Sequence, residues 1–363
     1  MVFRFHFFRG RVALYALLRG LGIGPGDEVA LQAFTCLAVP EGIMATGARP
    51  LWIDIEPDGY TMDPQDLARK LTPRTRAVVV QHTYGIPADL DAIAATAQEQ
   101  EIPIVEDCAH TLLSTYRGHR VGTVGAGAFY SFEWGKPIVA GVGGSAVAND
   151  GHLRIAMERA YSAFKEPPLG IRARLWLQYY GYRVLYRPAL YWPVRSLFHT
   201  LGTLGVVEGN YNPVGTEQMA EDFSWQMAPE SRRRLGKALL EVERLAEHSR
   251  WVAQQYRHGI AVPQLRHPVI PSEADVVFAR YPLRVPHKGG LLEAARRARV
   301  ELADWYATPV HPLGDGELRA VHYEPGTCPH AEIRASEVVS LPTHARVQQK
   351  DVDRTLEFFA QVA

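Results

Sequence analysis

Cysteine is scarce in this chain, charge of either sign is in no excess, and no long apolar run occurs. Cys36, Cys108 and Cys328 are odd in number and widely spaced. That pattern argues against a disulfide framework or a zinc site and suits a reducing compartment. Lys+Arg and Asp+Glu both number 39, so the formal net charge is zero. A general nucleic-acid binder is thereby disfavoured, although a local basic patch is not. No stretch reaches the roughly 18 uninterrupted apolar residues of a membrane span. The opening run from Met1 to Arg9 is hydrophobic, but too short and interrupted for a signal peptide. The expectation is a cytoplasmic protein with no nucleic-acid partner. One further absence is local: between Pro167 and Val207 there is no aspartate or glutamate.

At 363 residues the chain exceeds the usual single-domain range, so a large and a smaller domain are expected. The first half alternates short strand patterns (Glu28 to Leu31, Pro50 to Ile53, Ala77 to Gln81, Ile102 to Asp107) with helical ones. The helical patterns are Val12 to Leu21, Leu37 to Thr46, Pro64 to Leu71 and Ala88 to Gln98. Such alternation predicts an α/β fold with a mainly parallel central sheet flanked by crossover helices. Glu230 to His258 reads as one long helix. A strand-like run from Val276 to Leu283 and two helical stretches predict a small C-terminal α+β domain. We place the large domain at 1–235, with an atypical helical insertion at about 165–220, and the small domain at 236–363.

Two sites in the large domain carry chemistry. The apolar strand Ile102-Pro103-Ile104-Val105 runs into Glu106-Asp107-Cys108-Ala109-His110, and Lys136 follows Phe129-Tyr130-Ser131-Phe132-Glu133-Trp134-Gly135 on a tight loop before Gly141-Val142-Gly143-Gly144. Ligands of parallel sheets bind at the carboxyl ends of strands, where Asp107 falls. A buried acid and a loop lysine suit pyridoxal phosphate (PLP). The lysine amine forms a Schiff base, and the carboxylate keeps the pyridine nitrogen protonated so that the ring accepts electrons. Ser131 can donate to the phosphate. Gly10-Arg11-Val12 opens the first helix, whose free N–H groups favour a phosphate, with Arg11 adding charge. His110 can reach the phenolic oxygen. Taken singly, each has a plainer reading: a helix cap or ion pair for Asp107, a surface lysine, a loop serine, a solvated arginine, a packed histidine.

As a set these residues resemble the DegT/StrS-type sugar aminotransferases, a branch of the fold-type-I PLP enzymes. The resemblance covers most of 9–164 and again about 222–360. Its strongest runs are Gly22-Ile23-Gly24-Pro25-Gly26-Asp27-Glu28-Val29, Gly47 to Asp54, Glu106 to His110 and Ser131 to Gly144. Cys328-Pro329 and Leu341-Pro342-Thr343-His344 also match. The resemblance implies Lys136 as Schiff-base lysine, Asp107 as partner of the pyridine nitrogen, Ser131 on the phosphate and His110 where glutamine is common. It also implies a homodimer with shared active sites. Several positions depart from the family pattern. Gly10-Arg11 stands for a Gly-Thr pair, Cys36 for an aromatic that stacks on the cofactor ring, and Glu133 for a histidine or asparagine. Ser224 occupies the place of an asparagine that reaches the partner's cofactor. The usual N-terminal arm is missing unless residues 1–9 are its remnant.

The segment from Pro167 to Val207 is not explained by the family. Arg172, Arg174, Arg183, Arg187 and Arg195 alternate there with Trp176, Tyr179, Tyr180, Tyr182, Tyr186, Tyr191 and Trp192. Such a mixture suits a membrane–water interface or a lipid-linked substrate. It equally suits burial in a dimer interface, or an arginine site for substrate phosphates. The function expected is a PLP-dependent aminotransferase that moves an amino group from glutamate or a similar donor to a keto group, plausibly of a nucleotide- or lipid-linked sugar. The alternatives are a non-catalytic PLP-binding regulator or membrane-associated protein, and a PLP-dependent lyase or dehydratase of the same fold.

Overall fold

A computed structural model describes residues 5–111, 113–203, 207 and 219–362. Seven strands form the central sheet, in the order Phe5–Phe7, Gly144–Ala148, Gly127–Ser131, Ile104–Asp107, Thr75–Gln81, Glu28–Gln32, Arg49–Ile53. The last five in this order are mutually parallel, and the first two pair antiparallel. Alternation along the strands explains the layering. Val29, Leu31, Ala77, Val79 and Phe129 face one hydrophobic cluster, whereas Ala30, Val78, Val80, Ala128 and Tyr130 face the other. Side chains of period two thus bury both faces, as a parallel sheet with crossover helices requires.

The first cluster continues into the C-terminal part through Tyr256, Tyr281, Val339 and Phe358. There Arg280–Arg284 pairs antiparallel with Val338–Pro342, beside the helices Lys288–Ala298, Pro329–Glu337 and Gln349–Gln361. The expected α/β architecture with a small α+β part is present.

Two local expectations are corrected. The helix expected over Glu230 to His258 is two, Pro229–Leu239 and Val242–Gly259. Leu235 packs into the second cluster, with Val242 and Leu245 against it, and Val252, Ala253 and Tyr256 pack into the first, so the second helix passes from one core to the other. The strand expected from Val276 begins only at Arg280. Upstream of it, the Val277 amide donates to Ser114 Oγ (3.0 Å) and the Ala279 amide to the Tyr84 carbonyl (2.9 Å). Residues 1–4 lie outside the described residues, and Phe5–Phe7 is an edge strand of the sheet.

The insertion forms two helices, Leu169–Leu185 and Tyr191–Thr203, joined by a short turn. Residues 204–206 and 208–218 of it lie outside the described residues. The helices dock on the C-terminal part. Tyr186 Oη donates to Glu301 (2.8 Å), Trp192 Nε1 to the Val300 carbonyl (2.8 Å), and Arg195 to Asp304 (3.0 Å). No helix among the described residues is long and apolar enough to cross a membrane.

Candidate active site

Asp107 ends its strand at the carboxyl edge of the sheet, in register with Gln81 and Phe129. It is buried, and its Oδ1 accepts from the Ala109 amide (2.9 Å). Loss of hydration raises its pKa to about 6, against the lowering influence of that amide and of Lys136. Its neighbour Glu106 points to the other side of the strand and braces the sheet. Its carboxylate accepts from the amides of Gly122 (2.6 Å), Val124 (2.7 Å) and Gly125 (2.8 Å) and from His82 Nε2 (3.1 Å). His82 Nδ1 in turn accepts from the Ala88 amide (3.2 Å). These bonds hold Glu106 ionised despite its burial.

The loop that carries Lys136 leaves the strand Gly127–Ser131 and turns at Gly135, where φ is +77° and a left-handed conformation favours glycine. The Lys136 amine lies 4.9 Å from the centre of the Trp305 indole, a cation–π contact. Ser131, at the end of the same strand, packs on Gly10: a Cβ at Gly10 would come within 3.1 Å of the Ser131 Cβ. The helix Gly10–Gly20 has no acidic residue in its first turn and no side chain capping its amides. Its free N–H groups therefore open beside the Ser131 hydroxyl.

Arg11 does not stand ready as a free charge. Its guanidinium, buried, pairs with Asp222 (2.7 Å) and Glu41 (3.1 Å). Arg9 joins the same network through Asp222 (3.1 Å) and Glu133 (3.2 Å). Glu133, a departure from the family pattern, is thus matched by Arg9.

One cavity brings together Gly10, Arg11, Cys36, Asp107, His110, Ser131 and Lys136. Val12 is not on its lining; it is fully buried in the core one position further along the helix. Ser224 is exposed at the end of a short turn, where its hydroxyl donates to the Glu221 carbonyl (2.7 Å), and it does not line the cavity of this chain either. Cys36 reaches the site on a two-residue strand that pairs in parallel with Val310–His311.

That pairing brings in residues that sequence reasoning missed. Trp305 and Tyr306 line the cavity, as does Trp134. Trp305 and Tyr306 flank His110, whose ring centre is 4.9 Å from that of Trp305 and 6.0 Å from that of Tyr306. His110 Nδ1 accepts from the Tyr84 amide (3.3 Å), and its Nε2 lies 3.4 Å from Tyr306 Oη. Burial and the positive charge of Lys136 push the His110 pKa well down, so the ring is neutral at pH 7. Lys288 anchors the 305–306 segment from behind by donating to the carbonyls of Tyr306 (2.9 Å) and Ala335 (2.7 Å).

These residues fit pyridoxal phosphate. A buried carboxylate with a raised pKa suits a partner that brings a positive charge or a proton, as a pyridine nitrogen does. An uncapped helix end beside a serine hydroxyl suits a phosphate. Among the described residues the cavity lining holds a single lysine, Lys136. The Trp134 indole N–H, also on the lining, is buried with no hydrogen-bond partner among the described residues.

Comparison with known proteins agrees. The model of the DegT/DnrJ/EryC1/StrS aminotransferase family matches residues 8–182 and 235–359. A dTDP-3-amino-3,4,6-trideoxy-alpha-D-glucose transaminase of Streptomyces venezuelae is 30% identical over 352 residues, 96% of this chain and 79% of that protein. A pleiotropic regulatory protein of Geobacillus stearothermophilus is 28% identical over 98% of this chain and 84% of its own length. Among solved structures, DesV from S. venezuelae superposes with a TM-score of 0.73 at 27% identity, over 99% of this chain and 84% of that one. The PLP form of the Streptococcus pneumoniae sugar aminotransferase Spr1654 shares the fold, with a TM-score of 0.75 at 20% identity over 99% of this chain and 87% of that one. With the family matched across both parts of the chain and the cavity suited to its cofactor, this protein belongs to the DegT/DnrJ/EryC1/StrS family and is a PLP-dependent aminotransferase.

Proposed function

We propose that the protein transfers an amino group from glutamate or a similar amino acid to the keto group of a sugar. The observation that supports this reading best is the convergence of Lys136, Asp107, His110, Ser131 and the start of the first helix on one cavity. The names of its relatives supply the substrate class: dTDP-, UDP- and GDP-linked amino sugars recur among them.

Bound PLP supplies an electron sink for the bond broken at the amino-bearing carbon. In this reading the chain's own residues do the rest. The Lys136 amine would hold the cofactor covalently and would serve as the base that moves the proton at the substrate's amino-bearing carbon. Asp107 holds the proton on the ring nitrogen. The amides of the first helix turn and the Ser131 hydroxyl hold the phosphate. The paired Arg11 braces that turn through Asp222 and Glu41 rather than offering a direct fork of donors. His110, neutral and fixed between Tyr84 and Tyr306, orients the rim of the cavity. Cys36 gives a thin wall where the family has an aromatic, and Trp134, Trp305 and Tyr306 supply aromatic surface instead.

The test is an acceptor screen. Enzyme loaded with amino groups from glutamate is exposed to keto sugars linked to nucleotides and to prenyl diphosphates, and the product amine is measured by mass spectrometry. At least one keto sugar should be aminated. If a simple 2-oxo acid is aminated and no keto sugar is, the sugar reading fails while the transaminase stands.

Two further parts belong to the proposal. The enzyme is a cytoplasmic homodimer, with Ser224 reaching toward the partner's cofactor; its exposure is compatible with that. A fully active monomer by light scattering at micromolar concentration would contradict it. The 167–207 segment touches an anionic membrane surface through Arg183 and Arg187, both exposed. Each such arginine contributes about 1 kcal/mol near an anionic leaflet. Arg183→Glu/Arg187→Glu should abolish co-sedimentation with phosphatidylserine vesicles, and equal sedimentation with neutral vesicles would refute the contact.

A further inference from the structure

A second cavity, of about 490 Å³, lies between the insertion helices Leu169–Leu185 and Tyr191–Thr203 and the stretch around residues 303–311. It adjoins the cofactor cavity, for Trp134 and Trp305 line both. Its walls are largely hydrocarbon, with Leu177, Leu185, Val194, Leu197, Phe198 and Leu201 on them. Leu177, Leu185 and Leu197 are also 67%, 42% and 48% exposed, so the mouth of the cavity is itself apolar. Polar groups lie on the first insertion helix, at Arg174 and Gln178, and at the end shared with the cofactor site. Arg195 sits there on Asp304 (3.0 Å), next to Trp305, with His311 nearby. Further in, Arg280 and Tyr186 are turned to Glu301, at 3.0 and 2.8 Å.

This gradient selects a kind of ligand. A nucleoside needs donors and acceptors along its base edges, and the hydrocarbon that makes up most of this wall offers none. A hydrocarbon chain needs only apolar area, which this wall provides over most of its length. A cation at the polar end suits an anionic linker. Most of one wall, Tyr191–Thr203, lies outside the residues matched by the family model.

We propose that this chamber receives the apolar part of the amino acceptor. The acceptor is then an amphiphile: a keto-bearing head at Lys136, an anionic linker near Arg195, and a hydrocarbon chain between the two helices. The nature of the head rests on the keto-sugar reading above; the chain site rests on the chamber alone.

Calorimetric titration of the holoenzyme with geranyl diphosphate and with uridine diphosphate tests the chain site without turnover. Geranyl diphosphate should bind at least about tenfold tighter, given what burying a hydrocarbon chain contributes. Leu177→Asp should weaken it about tenfold or more. Because Leu177 is largely exposed, that variant should keep the parental melting curve. Leu197→Gln, a milder change, should weaken it in the same direction. Uridine diphosphate binding as tightly, or geranyl diphosphate binding that ignores both substitutions, overturns the proposal. So does absence of saturable geranyl diphosphate binding with Leu177→Asp shifting dimer to monomer, since a second copy of the chain would then cover the chamber. Failure of every keto sugar in the acceptor screen would instead remove the sugar head and leave these titrations to decide the chain site.

Discussion

Lys136→Ala should abolish transamination, lowering turnover by several orders of magnitude. It removes the single lysine on the described cavity lining and with it both the covalent attachment and the proton carrier. Purified parent enzyme should be yellow. After borohydride treatment, peptide mapping should find the cofactor fixed to Lys136; the alanine variant should carry no such label. The fold should be little affected, because the lysine amine sits over the Trp305 ring, 4.9 Å from its centre. Label on another lysine, or parental activity in the variant, would remove Lys136 from the reaction.

Asp107→Asn should have the next largest effect, and it should act in opposite directions on the apo- and holoenzyme. The folded-state pKa of Asp107 is raised from 3.8 to about 6 by burial. Protonation is therefore favoured in the fold, so apoprotein stability from this group is present below pH 4, falls as pH rises to about 6, and stays lost above. The penalty at pH 7 is on the order of 3 kcal/mol. Asparagine carries no charge, so the apo variant should be more stable than the apo parent at pH 7 and about equal to it at pH 4. In the holoenzyme a cationic ring nitrogen compensates the carboxylate. The variant should there lose turnover by roughly 10²-fold or more while still retaining cofactor. Urea denaturation of both forms at pH 4 and pH 7 reads the first effect, and steady-state kinetics the second. A variant with near-parental turnover, or an apo variant less stable than its parent at pH 7, would make Asp107 a structural acid only.

What could be read from the sequence follows the range over which each signal acts. The strand that ends in Asp107 and the loop that carries Lys136 are local patterns, an apolar run stopped by an acid and a lysine before glycines, and both lie where expected. The alternation of short strands and helices likewise encodes the layers of the sheet. The pairing of Arg11 is not legible locally, because its partners, Asp222 and Glu41, are distant in sequence, and only packing shows that its charge is already matched. Trp305 and Tyr306 carry no local signature; they reach the cavity through the pairing of Val310–His311 with Thr35–Cys36. The break between Leu239 and Val242 involves only good helix formers, so propensity could not announce it. The arginine-rich, acid-free stretch 167–207 stands out by composition. Composition did not say that its two helices would enclose a chamber beside Trp134 and Trp305, because that depends on the docking of Tyr186, Trp192 and Arg195 onto residues 300–304.

The central claim is that this cavity performs amino transfer, and a single-turnover reaction with glutamate tests it most directly. Purified holoenzyme is mixed with excess glutamate and no acceptor, the visible absorbance is followed, and released 2-oxoglutarate is quantified. The visible band should disappear with one equivalent of 2-oxoglutarate per active site, and adding 2-oxoglutarate back should restore it. The same exchange should be absent in Lys136→Ala. A stable visible band with no 2-oxo acid released from glutamate, or from any other amino acid tried as donor, would contradict the account and leave a protein that binds the cofactor without transferring an amine.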